Sequence, residues 1–141
     1  FRGVPQWFRR KMRGTVGAMT GAGRVLVVED EVLIRMLAID MLLDLGREAD
    51  EAGSAGEALA MLRAPGAAYA LVLLDLGLPD KHGDDLVREI RQSHANLPLV
   101  VASGEDQVEV KARLEKFAPI RFLGKPYDLD GLKNAVEQSV S

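Results

Sequence analysis

Four short apolar runs, each stopped by a turn that carries a polar or reactive side chain, restrict the fold of this chain more than any other feature. They are Arg24-Val25-Leu26-Val27-Val28 before Glu29-Asp30-Glu31, and Ala70-Leu71-Val72-Leu73-Leu74 before Asp75. The third is Leu97-Pro98-Leu99-Val100-Val101-Ala102 before Ser103-Gly104, and the fourth Ile120-Arg121-Phe122-Leu123-Gly124 before Lys125-Pro126-Tyr127. Runs of this length, bounded by turn residues, read as buried strands of a parallel sheet. Helix-length segments lie between them. Residues 31–45 carry Leu, Ile and Met at helical spacing and stop at Gly46. Ser54 and Glu57 have capping-box spacing and open a helix to about Ala64, which Pro65-Gly66 breaks. Gly83-Asp84-Asp85 opens another to about Ser93, residues 105–117 form a fourth, and Asp128 caps a last one.

Residues 47–52 complete the alternation as a strand, but Arg47-Glu48-Ala49-Asp50-Glu51 is too polar for any place except an edge. Five strands alternating with five helices specify an α/β, doubly wound (βα)5 architecture with a parallel sheet. The flavodoxin-like order 2-1-3-4-5 puts the polar second strand at an edge. It also gathers the ends of strands 1, 3, 4 and 5 around one crevice, where ligands of such sheets bind.

The chain has 141 residues, one domain's worth. Residues 1–23 hold Arg2, Arg9, Arg10, Lys11 and Arg13 and no acid, whereas the whole chain is −3, so residues 24–141 carry −8. The expected division is a basic N-terminal tail, 1–23, ahead of an acidic folded domain, 24–141. A charge of −8 repels polyanions, so DNA binding by the folded domain is not expected. There is no cysteine, hence no disulfide or thiolate metal site. No apolar stretch has the length of a membrane span or of a signal sequence, and the expected location is cytoplasmic.

A capping role accounts for one acid at one strand end. It does not account for acids, a hydroxyl and a lysine converging on one rim. Glu29, Asp30 and Asp75 brought together would repel unless a cation neutralised them. Without a histidine cluster or cysteine, an oxygen-only site suits Mg²⁺, with Mn²⁺ as a substitute. Lys125 is a mobile point charge suited to a phosphoryl oxygen, and Ser103 offers a hydroxyl donor. Such a pocket stabilises a transferring phosphoryl group, with Asp75 as the nucleophile that becomes an aspartyl phosphate.

The same four stretches, in order, with Leu78-Pro79 and Gly83 after Asp75, resemble the receiver domain of two-component response regulators. The resemblance implies that Asp30 binds Mg²⁺ directly, Glu29 acts mostly through water, and the Gly77 carbonyl completes the metal site with Asp75. It implies that Ser103, Gly104 and Lys125 surround the phosphoryl group. It also makes Ser103 and Phe122 the pair that repacks on phosphorylation. Gly77 and Glu105 occupy positions that tune dephosphorylation, and a glycine at 77 is expected to leave water a path to the phosphoryl group. Ser103 stands where threonine is commoner, Gly104 where alanine is usual, and Phe122 lacks a tyrosine's hydroxyl.

In the first helix, Ile34, Ala38, Met41 and Leu45 are expected to face the sheet. That leaves Met36, Ile39 and Leu43 as an apolar surface for a histidine-bearing helical partner. The partner implied is a sensor histidine kinase or a histidine phosphotransfer protein, with an unidentified downstream protein and a homodimer left open. His82 and His94 have no catalytic partner in sequence and read as solvent-facing. The chain is expected to catalyse only its own phosphorylation and dephosphorylation, not to be an enzyme for other substrates. A stand-alone receiver and the receiver of a hybrid histidine kinase both fit. The alternative is a degenerate receiver that signals by binding alone.

Overall fold

Strict alternation inside the apolar runs builds the two faces of one sheet. The computed structural model describes residues 23–140, so all of the expected basic tail except Gly23 lies outside the described residues. The strands are β1 (Arg24–Val28), β2 (Ala49–Ala52), β3 (Tyr69–Asp75), β4 (Leu99–Ser103) and β5 (Ile120–Gly124). The helices are α1 (Val32–Asp44), α2 (Ala55–Arg63), α3 (Gly83–Ser93), α4 (Gln107–Leu114) and α5 (Leu129–Val140), with a 3-10 turn over Glu115–Phe117. Every paired strand is parallel and the order is β2-β1-β3-β4-β5. This is the doubly wound flavodoxin-like order expected from the polar second strand.

Leu26, Val28, Val72, Leu74, Leu99 and Val101 point to the face covered by α2, α3 and α4. Val25, Val27, Leu71, Leu73, Val100 and Ala102 point to the face covered by α1 and α5. Burying both faces is why these strands read as unbroken apolar runs. The edge strand β2 keeps Ala49 and Ala52 in the core, while Asp50 and Glu51 are only part-buried. Arg24 donates to Asp50 Oδ1 (2.7 Å from Nη2) and to Glu48, Tyr69 donates its hydroxyl to Asp50 Oδ2 (2.7 Å), and Arg35 donates to Glu51 Oε1 (3.0 Å). The polar composition of β2 is therefore matched by cations on neighbouring elements.

Local signals fix most helix ends. Gly46 has φ +81°, with its N–H on the Leu43 carbonyl and that of Arg47 on the Leu42 carbonyl, a left-handed stop to α1. Ser54 accepts from the Glu57 N–H, and the Glu57 carboxylate accepts from the Gly53 N–H, as the capping-box spacing predicted. The fourth helix starts later than expected, at Gln107. Asp106 caps it, accepting from the N–H groups of Val108 and Glu109, so residues 104–106 form a loop at the sheet's carboxyl rim.

The phase of α1 differs from expectation. Ala38, Ile39, Leu42 and Leu43 are its buried residues, while Ile34, Met41 and Leu45 are half-buried. Ile39 and Leu43 are fully enclosed and cannot form a docking surface; of the three residues expected there, only Met36 is exposed. The helix is apolar on almost every side, so periodicity alone does not phase it. Its rotation is consistent with the anchor at Arg35, which donates to Glu51 and, at 2.7 Å, to the Glu29 carbonyl.

Candidate functional site

Parallel register brings the four strand ends level. Val28 pairs with Leu74, Asp75 with Ala102, and Ser103 with Gly124, so Glu29, Asp75, Ser103 and Lys125 follow one another around the rim. Glu29, Asp75 and Ser103 are the buried polar or charged residues among those described. Buried polar groups persist only where partners satisfy them. Here the partners are each other and the turn backbone.

Lys125 Nζ donates to Glu29 Oε1 at 3.1 Å and to Asp75 Oδ1 at 3.0 Å. The second oxygen of each acid takes a backbone N–H from its own turn. Gly77 donates to Asp75 Oδ2 at 3.1 Å and Glu31 donates to Glu29 Oε2 at 3.2 Å. Asp30 is exposed, yet one carboxylate oxygen from each of Glu29, Asp30 and Asp75 lies within 4.8 Å of the others. The donor set is oxygen only, rich in charge and open on one side, which suits a hard divalent cation that keeps some water. Asp30, Asp75 and Glu29 thus converge as the sequence reading required.

Burial, above all, pushes the Glu29 carboxyl above its usual range. Lys125 and the Glu31 N–H oppose this, and the neighbouring Asp75 charge adds to it. Burial pulls Lys125 down, but its bonds to Asp75 and Glu29 outweigh that, and its ammonium is held above its ordinary range. A single cation thus serves two crowded acids, leaving an excess of negative charge that a metal would relieve.

Ser103 is 3% exposed, and its hydroxyl accepts the Glu105 N–H at 2.9 Å. Its carbonyl receives the Lys125 N–H at 2.8 Å and the Gln107 side-chain amide at 3.2 Å. One carbonyl therefore joins the elements bearing the hydroxyl and the lysine. Gly104 is exposed with open space around its Cα, and Glu105 lies 3.4 Å from Arg113 Nη1. Phe122 pairs with Val101 across the sheet and is half-buried against the core beneath the site. Gly77 is exposed, and a Cβ there would sit 3.3 Å from Asp75 Oδ2. Gly83 allows close packing: a Cβ would fall 2.5 Å from the Leu76 Cα, so α3 begins flush against the residue after Asp75.

Sequence reasoning missed Gln107, Asp80 and Tyr127. Tyr127 lines an apolar groove with Ile34, Leu37, Met41 and Pro126 beside the rim. Burial first, then the Glu29 charge, pushes its phenol up to about 12, and burial with the Asp50 hydrogen bond does the same for Tyr69. These groups ionise more readily unfolded than folded. Their contribution to stability is complete below their ordinary value of 10.0 and is lost as pH rises through about 12. An absorbance titration of tyrosinate is expected to show native midpoints near 12, falling to near 10 in denaturant.

A sequence model of the response regulator receiver domain matches residues 25–137. Sensor kinase CckA of Brucella abortus is 32% identical over 120 residues, which are 85% of this chain and 13% of the kinase. Transcriptional regulatory protein PdtaR of Mycobacterium tuberculosis is 36% identical over 121 residues, 84% of this chain and 57% of the regulator. The chain thus spans just over half the regulator and a small part of the kinase. The crystal structure of the receiver domain of NtrX from Brucella abortus matches at TM-score 0.73 and 36% identity, covering 82% of this chain and 97% of that one.

Proposed function

The chain belongs to the response regulator receiver domain family of two-component systems, and from that premise we propose that it accepts a phosphoryl group on Asp75 in a Mg²⁺-dependent reaction. The observation that carries this reading is Lys125 bridging Asp75 and Glu29 at the carboxyl rim, beside an exposed Asp30 and the Ser103 hydroxyl. An Asp75 oxygen attacks phosphorus while the bond from phosphorus to the donor's imidazole nitrogen breaks, and the imidazole takes up a proton. Asp30, Asp75, the Gly77 carbonyl and, through water, Glu29 would hold the metal. When bound, it neutralises charge on phosphoryl and carboxylate oxygens. Lys125 swings one contact from Asp75 to a phosphoryl oxygen, and Ser103 donates to another once its loop closes.

The donor is then a sensor histidine kinase or a histidine phosphotransfer protein. Val32, Leu33, Met36 and Leu37 form an exposed apolar face on α1 next to the Tyr127 groove. A helix bearing the donor histidine fits that face, and the corrected docking set replaces Ile39 and Leu43. Output passes through the surface of α4, β5 and α5, where Phe122 fills the space that Ser103 vacates. In this reading the chain catalyses its own phosphorylation and dephosphorylation and nothing else. Among the described residues, no helix is long and apolar enough to cross a membrane.

Acetyl phosphate tests this without a cognate kinase. One added phosphoryl group by intact mass, dependent on Mg²⁺ and labile in base, is the expected result. No label, together with no binding of beryllofluoride in Mg²⁺, would leave only the phosphorylation-independent binding module.

A further inference from the structure

The loop from Leu76 to His82 carries Gly77 and must hold it still beside Asp75. Its near end is fixed: Leu76 is buried, its N–H donates to the Ala102 carbonyl, and the Gly83 N–H donates to the Leu76 carbonyl. Leu78 is buried too, and Lys81 pairs with Glu89 on α3. The far side of the loop is tied by one side chain to a different element. Asp80 accepts the N–H of Ala55 on Oδ1 and that of Gly56 on Oδ2, both at 3.0 Å. Those are the first two N–H groups of α2, which otherwise have no partner within the helix. Ser54 takes the third, at Glu57.

A carboxylate at the head of α2 is favoured by the helix dipole and by two charge-assisted hydrogen bonds. The bonds to Gly56 and Ala55, in that order, hold the Asp80 carboxyl below its usual range although it is exposed. The pairing spans 24 and 25 residues, so it orders the loop rather than only capping a helix.

We propose that Asp80 is a positioning residue for the metal site: by clamping the loop to the first turn of α2 it sets the place of Gly77, whose N–H holds Asp75 and whose carbonyl would complete the proposed metal site. This rests on the proposed Mg²⁺ site. Partners outside the ligand set that orient metal ligands characteristically govern affinity. Asp80 does so through the loop backbone.

Ser54 supplies an internal control, because its hydroxyl caps the same helix end at the Glu57 N–H, whereas Asp80 is the side chain that ties the loop to the helix. The experiment is a Mg²⁺ titration of the full chain by amide NMR, without phosphoryl donor, on wild type, Asp80→Ala, Asp80→Asn and Ser54→Ala, with Tm measured for each. Asp80→Ala is expected to weaken Mg²⁺ binding by about tenfold, the lower end for such partners. Asp80→Asn, keeping one acceptor, is expected to fall between, and Ser54→Ala to bind as wild type despite a lowered Tm. Amide exchange of Gly77, Leu78, Asp80 and Lys81 is expected to quicken most in Asp80→Ala, less in Asp80→Asn and not in Ser54→Ala. Wild-type affinity in Asp80→Ala, or an equal loss in Ser54→Ala, overturns the proposal. A wild type that binds no Mg²⁺ overturns the site reading itself, and this proposal with it.

Discussion

Asp75→Asn is expected to abolish labelling by acetyl phosphate while leaving the fold intact. The amide keeps the size and the planar shape of the carboxylate, and its one oxygen still accepts from Lys125, which now bonds to Oδ1; the N–H of the exposed Gly77, now on Oδ2, loses that acceptor to the amide NH2 and turns to water. What disappears is the nucleophile. An amide oxygen lacks the negative charge that attacks phosphorus, and no other group at the rim replaces it. Glu29 faces Lys125 and its own turn, and Ser103 accepts from Glu105. Mg²⁺ affinity should also drop, because one of three converging carboxylates has lost its charge. Intact mass reads the loss of label, a Mg²⁺ titration reads the loss of affinity, and a cooperative melt excludes unfolding as the cause of either.

Lys125→Met is expected to slow phosphorylation by about 10²- to 10³-fold, the usual cost of losing one positioned donor to a developing oxyanion. Methionine keeps the unbranched stem and removes the charge. The resting pocket then holds Glu29 and Asp75 close together with no cation between them. Two consequences follow from that repulsion. Mg²⁺ should bind more tightly than in wild type, since the metal no longer competes with an ammonium. It should also raise the Tm of the variant more than that of wild type, by linkage. Slow chemistry with retained metal binding distinguishes Lys125 from a purely structural residue. Stopped-flow phosphorylation over a Mg²⁺ series measures both.

The rim was legible because each of its residues follows a buried strand directly. A continuous apolar run ended by Asp75, or by Glu29-Asp30, places its acid by local sequence alone, and parallel register does the rest. The order of strands was legible through one polar segment, β2, whose Asp50 and Glu51 fit only an edge. The rotation of α1 was not legible. With Val32, Leu33, Met36 and Leu37 as apolar as Ala38, Ile39, Leu42 and Leu43, no stripe distinguishes the buried side from the exposed one. Of its exposed apolar residues only Met36 was expected at the surface, while the buried Ile39 and Leu43 were placed there in error. Asp80 and Gln107 were illegible for another reason. One looks like an ordinary turn residue and the other like a helix-start glutamine. Asp80 has partners 24 and 25 residues away, and Gln107 bonds to loop carbonyls whose arrangement exists only after folding.

Trapping the phosphoryl linkage tests the central claim most directly. Wild-type protein treated with acetyl phosphate and Mg²⁺ is reduced with borohydride, which converts an acyl phosphate to an alcohol, and digested for mass spectrometry. Homoserine at position 75, absent without Mg²⁺ or donor, is the predicted result. An unreduced Asp75 in a protein that nevertheless carries label, on Ser103, a histidine or another acid, would contradict it.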